Sequence, residues 1–195
     1  MHGGTMVTED TGRVPRSAAP SSGTTQGEAR RATVLGPGEG TPVWFLGNLM
    51  VVKATAQSTN GAYGLLESLV PAGSSPPMHV HHREDEAFWI LEGAITVRCG
   101  DETLRAGPGS YVFLPRGVPH TYRVDGDTPL RMLTLLTPGG GEGFFVDGGR
   151  PAERLTMAPP GRPDLALLER VAHEYGAEFI GPPLAPAAAR TPAAG

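Results

Sequence analysis

Three histidines and three carboxylates lie together in one short stretch of the sequence. Residues 79–86 read HVHHREDE, and the apolar run AFWIL follows directly at 87–91. Charged side chains are rarely buried unless they are paired or bind a metal, so a cluster that leads into an apolar strand requires an explanation. Two explanations are open at this point, a solvated and charge-balanced loop or a metal site.

Two of these histidines have the spacing of metal ligands on a β-strand. Side chains two residues apart on a strand point to the same face, which would align the imidazoles of His79 and His81. Glu84 and Glu86 both follow within reach, and the spacing alone does not choose between them. The pair of imidazoles and a neighbouring carboxylate are the donors that divalent transition metals take in proteins.

A third imidazole is available from His120. The preceding residues PRGVP, at 115–119, are typical of a tight turn that would deliver this histidine at the start of a later strand. Three imidazoles and one carboxylate predict one divalent transition metal; Fe, Mn, Ni and Co are favoured, and Zn and Cu are compatible. Considered alone, His120 would more often be a hydrogen-bonded histidine at a strand end.

Composition and charge restrict the class of protein. The chain has 195 residues, of which 28 are Gly and 20 are Pro, so many turns are expected in what fits one domain with tails. A formal net charge of −4 predicts no nucleic-acid partner. Cys99 is the single cysteine, which excludes a disulfide framework. No apolar stretch reaches membrane-spanning length and no apolar leader stands at the N-terminus, so we expect a cytoplasmic protein without a membrane partner.

Short apolar or alternating runs, separated by turn residues, fill the middle of the chain. The clearest are 63–70, 87–93, 94–99, 110–115 and 130–137. Many short strands at this spacing predict an all-β protein built as an antiparallel sandwich or barrel. One helix is predicted at about 163–176, because apolar residues recur on one face between Pro163 and Gly176.

The chain divides into four predicted segments. Residues 1–38 and 184–195 are rich in Gly, Ser, Thr, Ala and Pro, and we expect them to be disordered tails. Between them we expect a β-barrel at 39–150 and a C-terminal extension at 151–183 that contains the helix.

Two stretches of the sequence resemble the motifs of the cupin superfamily. GSSPPMHVHHREDEAFWILEG, at 73–93, matches the first cupin motif at every fixed position. GSYVFLPRGVPH, at 109–120, matches the second motif as far as its histidine, and Val124 stands where that motif usually ends in Asn. The resemblance covers about residues 40–150 and implies a cupin-type β-barrel (jelly roll) with a metal bound inside it. It assigns the metal ligands to His79, His81, Glu86 and His120.

Within the cupins the chain is most similar to single-domain bacterial proteins related to quercetin dioxygenase. The similarity includes the motif region, the WFLG segment at 44–47 and the GEGFF segment at 141–145. It implies a metal-dependent dioxygenase that cleaves a flavonol, or a related phenolic or enolic small molecule, with O2. Glu86 would then be the catalytic residue, a general base that takes the substrate proton.

Two other functions remain open from the sequence. One is a non-oxidative, metal-dependent cupin enzyme, an isomerase or a polyketide cyclase, which would run without O2. The other is a cupin that binds a small molecule without turnover.

Strand alternation predicts which side chains line a substrate pocket, because every second residue shares the face of Glu86 or His120. The pocket residues that this rule predicts are Phe88, Ile90 and Tyr122. Phe113 and Met78 are further candidates, whose faces depend on turns and bulges near them. An apolar and partly aromatic pocket suits a flat aromatic substrate. Apolar residues on the opposite face, such as Trp89, are expected either to form a homodimer interface or to be covered by a second sheet or the C-terminal helix.

Overall fold

The structure, a computed structural model, describes residues 32–186. Most of the two predicted disordered tails therefore lies outside the described residues. The strands are β1 Thr41–Phe45, β2 Asn48–Ala54, β3 Gly64–Val70, β4 Met78–His81, β5 Asp85–Glu92, β6 Ala94–Cys99, β7 Glu102–Ala106, β8 Tyr111–Leu114, β9 His120–Asp125, β10 Leu130–Thr137, β11 Arg150–Pro151 and β12 Ala177–Gly181. The helices are α1 Ala56–Thr59, α2 Glu142–Gly148 and α3 Leu165–Glu174.

The strands form two antiparallel sheets. The first sheet has seven strands in the order β11-β1-β2-β3-β10-β5-β8, and the second has five in the order β12-β4-β9-β6-β7. Alternation is regular in β3 and β10, where every second side chain is buried. This pattern places one face of each strand in a shared interior, as a two-layered β fold requires. The all-β jelly-roll fold predicted from the sequence is confirmed.

The interior has two parts, which we call the closed half and the open half. They differ in the elements that build them and in that the open half surrounds a cavity. The closed half is an apolar cluster contributed mainly by β5, β6, β9 and β10, with Ile90, Ile95, Val97, Val124 and Leu130 at its centre. The open half surrounds a cavity and is walled by β1, β2, α2, α3 and β12, including Phe45, Met50, Phe144, Leu168 and Ala177.

The C-terminal helix closes the open half at one end of the sheets. Asp164 caps α3 by accepting a hydrogen bond from the backbone N–H of Leu167 at 3.0 Å, so the helix begins at Leu165 rather than at Pro163. Its inner face buries Leu168, Val171 and Ala172. None of the helices within residues 32–186 is long and apolar enough to cross a membrane.

Two short helices were not predicted from the sequence. The larger, α2, begins at Glu142 after a run of glycines that would not favour a helix on their own. Its position depends on distant contacts, because the Glu142 carboxylate accepts hydrogen bonds from the backbone N–H groups of Ala56 at 2.6 Å and Gly140 at 2.7 Å. Phe144 anchors the other side of the helix in the open half.

Candidate metal centre

Both sheets contribute to a cluster of three histidines and one glutamate. His79 and His81 lie two apart on β4, and His120, the first residue of β9, is the direct partner of His79 in the register of these strands. Glu86 lies on β5 of the opposite sheet and reaches the imidazoles across the interior. The cluster therefore depends on the way that the two sheets face each other.

The four side chains offer one donor atom each, and all four atoms lie within 4.8 Å of one another. Glu86 Oε2 is 3.2 Å from His120 Nε2 and 3.9 Å from His81 Nε2. Ligands at about 2.0–2.2 Å from one metal ion stand about 3 to 4 Å apart, so these separations fit a shared cation. The set of three nitrogens and one oxygen suits a divalent transition metal.

Backbone carbonyls fix the orientation of two of the imidazoles. Nδ1 of His79 lies 2.8 Å from the carbonyl oxygen of Pro77, and Nδ1 of His120 lies 2.9 Å from that of Val118. A carbonyl oxygen can only accept, so in both rings Nδ1 carries the proton. Nε2 is therefore the atom that each ring presents to the centre of the cluster.

The Glu86 carboxylate is ionised in spite of its burial. Burial alone would raise the pKa of this group, but the hydrogen bond from His120 and the positive charge of the imidazoles outweigh burial and lower the pKa to about 2. The buried side chain therefore offers a full negative charge near neutral pH, which is the form that binds a cation.

The three imidazoles have different proton affinities. Burial is the main cause that lowers the pKa of His79 to about 4, and it also lowers the pKa of His81. For His120, burial is outweighed by the hydrogen bond and charge of Glu86, and the pKa is raised. Of the three imidazoles, His120 is thus the one whose protonation Glu86 favours most, across a distance of 3.2 Å between its Nε2 and Glu86 Oε2.

A turn before β9 connects the second sequence motif to the first. The backbone N–H of Gly117 donates to the carbonyl oxygen of His81 at 2.7 Å, and Gly117 has a φ of +76°, which a side chain would strain. Arg116 in the same turn forms an ion pair with Asp85 at 2.8 Å. These contacts fix the start of β9, and so His120, against β4 and β5.

A cavity of about 390 Å³ opens beside the cluster, and His79, His81 and Glu86 form part of its wall. The rest of the wall is mainly aromatic and aliphatic, including Phe45, Met50, Phe144, Phe145, Leu168 and Phe179. Within residues 32–186 no lysine or arginine lines this cavity. The space can therefore hold an apolar molecule with one end against the cluster.

Two of the five predicted pocket residues lie at this cavity. Phe88 and Tyr122 line it, and their rings meet edge to face with centroids 5.5 Å apart. Burial, followed by the charge of Glu86, raises the pKa of the Tyr122 hydroxyl, which is therefore neutral.

The other three predicted pocket residues lie elsewhere. Ile90 is fully buried in the closed half and away from the cavity. Phe113 is 52% exposed, because the register of β8 pairs it with Ala87 and gives the inward position to Leu114. Met78 precedes His79 on β4, points to the other face and pairs with Gly181 of β12.

The structure also reveals side chains that strand alternation did not identify. Glu84 is 4% exposed, and its Oε2 lies 4.0 Å from Nδ1 of His81, on the side of the ring away from Glu86. Burial is the main cause that raises the pKa of Glu84. Phe144 and Phe179 come from distant segments, and the only signal for them in the sequence was the apolar character of those segments.

Comparison with known proteins agrees with this architecture. The family model described as "Cupin domain" matches residues 65–136, a range that contains all four side chains of the cluster. The structure of KdgF from Halomonas sp. has the same fold, with a TM-score of 0.51 at 16% identity, over 58% of this chain and 99% of that one.

Two curated relatives are similar in sequence. Quercetin 2,3-dioxygenase of Bacillus subtilis is 31% identical over 112 residues, which are 57% of this chain and 33% of the relative. Tetracenomycin polyketide synthase protein TcmJ of Streptomyces glaucescens is 28% identical over 89 residues, which are 46% of this chain and 58% of the relative. The chain thus spans less than two thirds of the length of either protein.

Proposed function

We propose, from the premise that this chain belongs to the cupin superfamily, that it is a metal-dependent dioxygenase acting on a flavonol or a related phenolic or enolic molecule. The observation that carries the proposal is the position of Glu86. Its carboxylate touches the histidine cluster on one side and lines the apolar cavity on the other. A molecule in the cavity therefore meets the carboxylate and the candidate metal ligands together.

His79, His81, His120 and Glu86 would hold the metal. When bound there, a divalent cation would supply a Lewis acid that lowers the pKa of a substrate hydroxyl. The chain fits this role because the carbonyl oxygens of Pro77 and Val118 keep two Nε2 atoms directed at the centre. Fe, Mn, Ni and Co are the favoured ions, since they accept further ligands beside this donor set.

Glu86 has a second task in the proposal, to accept the proton of the substrate hydroxyl. It is ionised, it is 5% exposed, and its nearest polar neighbour is Nε2 of His120. A proton placed on its carboxylate would therefore be kept from bulk water. General bases of this kind contribute about 10²- to 10⁴-fold to the rate.

The cavity wall supports an uncharged aromatic substrate. Phe45, Phe144 and Phe179 provide ring faces and edges, and within the described residues no cationic side chain is present to pair with a substrate carboxylate or phosphate. Away from the candidate metal ligands, an anionic group in this cavity would lose its hydration without gaining an ion pair. The wall thus favours a flat molecule that carries one acidic hydroxyl.

Oxygen uptake tests the proposal. The metal-free protein is reloaded separately with Fe(II), Mn(II), Ni(II) or Co(II) and offered quercetin, with Glu86→Gln as the variant. We expect metal-dependent uptake that falls at least about 100-fold in the variant. Glu178→Gln, an exposed position on β12, is the matched control and should retain the activity. No uptake with any metal, despite stoichiometric binding, would refute the flavonol dioxygenase and would direct the assays to isomerase or cyclase activity without O2.

The similarity to TcmJ supports a second candidate, a non-oxidative cyclase or isomerase that uses the same centre. The two functions differ in their need for O2. Conversion of an aromatic polyketide or enolic substrate at equal rates with and without O2 would favour the second candidate. Binding without conversion in either condition would favour a small-molecule-binding cupin.

The homodimer expected from outward-facing residues such as Trp89 stays a prediction.

A further inference from the structure

The three imidazoles of the cluster differ at the ring nitrogen that faces away from its centre. In His79 and His120, Nδ1 donates to the carbonyl oxygen of the residue two positions earlier. For His81, no such hydrogen bond is present within residues 32–186. Its Nδ1 faces the carboxylate of Glu84 at 4.0 Å instead.

Glu84 is itself incompletely paired. The side chain is 5% exposed, and its Oε2 has no hydrogen-bond partner within the described part of the chain. A buried carboxylate oxygen without a partner is costly and is rarely kept without a reason. An imidazole that lacks an acceptor thus faces a carboxylate that lacks a donor.

We propose that Glu84 is the positioning residue of His81: its carboxylate accepts a hydrogen bond from Nδ1–H when the cluster holds its metal. The proposal rests on the metal centre of the proposed function. The bond fixes the tautomer in which Nε2 of His81 is free to bind the cation. It also gives the imidazole a negatively charged neighbour, which makes Nε2 a stronger donor.

The location of Glu84 suits this task. It lies in the connection between β4 and β5, whose neighbouring residues are fixed by other contacts. Arg83 Nη1 donates to the carbonyl oxygen of Glu174 at 2.9 Å, and Arg116 pairs with Asp85. A hydrogen bond of about 2.7–3.2 Å needs the two atoms to approach by about 1 Å, which a rotation of the Glu84 side chain supplies.

Zinc affinity of the full chain, measured by competition with a chelator, tests the proposal without an activity assay. We expect Glu84→Ala to raise the Kd for Zn(II) by about 10- to 100-fold. Glu84→Gln keeps the volume and an acceptor oxygen, so its Kd should rise less. Glu178→Ala removes an exposed carboxylate on the strand next to β4 and should leave the Kd unchanged.

A spectroscopic measurement separates positioning from a general structural effect. In the zinc-loaded protein, nitrogen-15 NMR reports each imidazole separately. We expect Glu84→Ala to change the Nδ1–H signal of His81 and to leave the signals of His79 and His120 in place. If the alanine variant does not fold, Glu84→Gln, which keeps an acceptor oxygen but loses the charge, should give a smaller change in the His81 signal and none in those of His79 and His120.

Two results would overturn the proposal. One is wild-type zinc affinity together with an unchanged His81 signal in Glu84→Ala. The other is an equal disturbance of all three histidines with a fall in Tm, which would make Glu84 a structural residue. A wild-type chain that binds no zinc, nickel or cobalt would instead refute the metal centre itself, and the role of Glu84 would fall with it.

Discussion

The closed half and the open half of the interior lie between the same two sheets but are built mainly from different elements and satisfy different requirements. The closed half is apolar, with Ile90, Ile95 and Leu130 fully buried at its centre. The open half contains a cavity. Ionisable side chains such as Glu86 and His120 are buried near it, to a depth similar to that of the apolar residues in the closed half. Dense apolar packing maximises stability, whereas a binding site must leave space and unpaired polar atoms. The comparison predicts that stability comes mainly from one half and chemistry from the other.

The largest effect on stability should come from the closed half. We expect Ile90→Ala to lower the free energy of unfolding by about 2–5 kcal/mol, toward the upper end, because its neighbours cannot move to fill the space. Met50→Ala, at the cavity wall, should cost less, since one side of Met50 already borders empty space. Denaturant unfolding measures both. Equal losses would contradict the division into two halves.

Acid should act through the open half. Burial lowers the pKa of His79 in the folded protein to about 4, below the ordinary value of 6.5, so the unfolded chain binds this proton first as the pH falls. The free energy of unfolding of the metal-free protein should therefore fall between about pH 6.5 and 4, by at most about 1.4 kcal/mol per pH unit from this group.

Variants isolate that contribution. His79→Gln removes the group, so its denaturation midpoint should fall less than that of the wild type over the same pH range. His173→Gln, at an exposed position on α3, should follow the wild type. A pH dependence that is identical in all three proteins would show that His79 does not couple folding to protons.

The smallest effect concerns a hydroxyl in the open half. Thr134 Oγ1 is buried without a hydrogen-bond partner within the described residues, so Thr134→Val should be neutral or stabilise the fold by up to about 1 kcal/mol. Thr121 is equally buried, but its hydroxyl donates to the carbonyl oxygen of Pro76 at 2.7 Å. Thr121→Val should therefore cost about 1 kcal/mol. Thermal unfolding of both variants checks this difference of sign.

Alternation on β4 and the turn before His120 are local properties, so they were sufficient to predict that the three histidines would lie together. Spacing did not choose between Glu84 and Glu86, and the assignment of Glu86 came from the resemblance to the cupin motifs. The sequence was not sufficient for the wall of the cavity. Phe113 lies outside the cavity because the register of β8 pairs Leu114, rather than Phe113, with Glu86, and a shift of one residue moves a side chain to the other face. Phe144 and Phe179 are brought to the cavity only by tertiary contacts of α2 and β12. Glu84 was considered only as a ligand, since spacing carries no information about which side of an imidazole a carboxylate approaches.

The pairing of β12 with β4 has a consequence for the order of events during synthesis. Within the described residues β4 meets β9 at a single residue pair, His79 with His120, while β12 pairs along β4 from His81 to Met78. The ribosome synthesises β12, Ala177–Gly181, about a hundred residues after His79. Strand β4, which carries two of the imidazoles, therefore lacks its main hydrogen-bonded neighbour until β12 has been synthesised. A nascent chain can therefore complete much of its closed half before the histidine strand is secured. We expect the candidate metal site to be completed only after much of the closed half has formed.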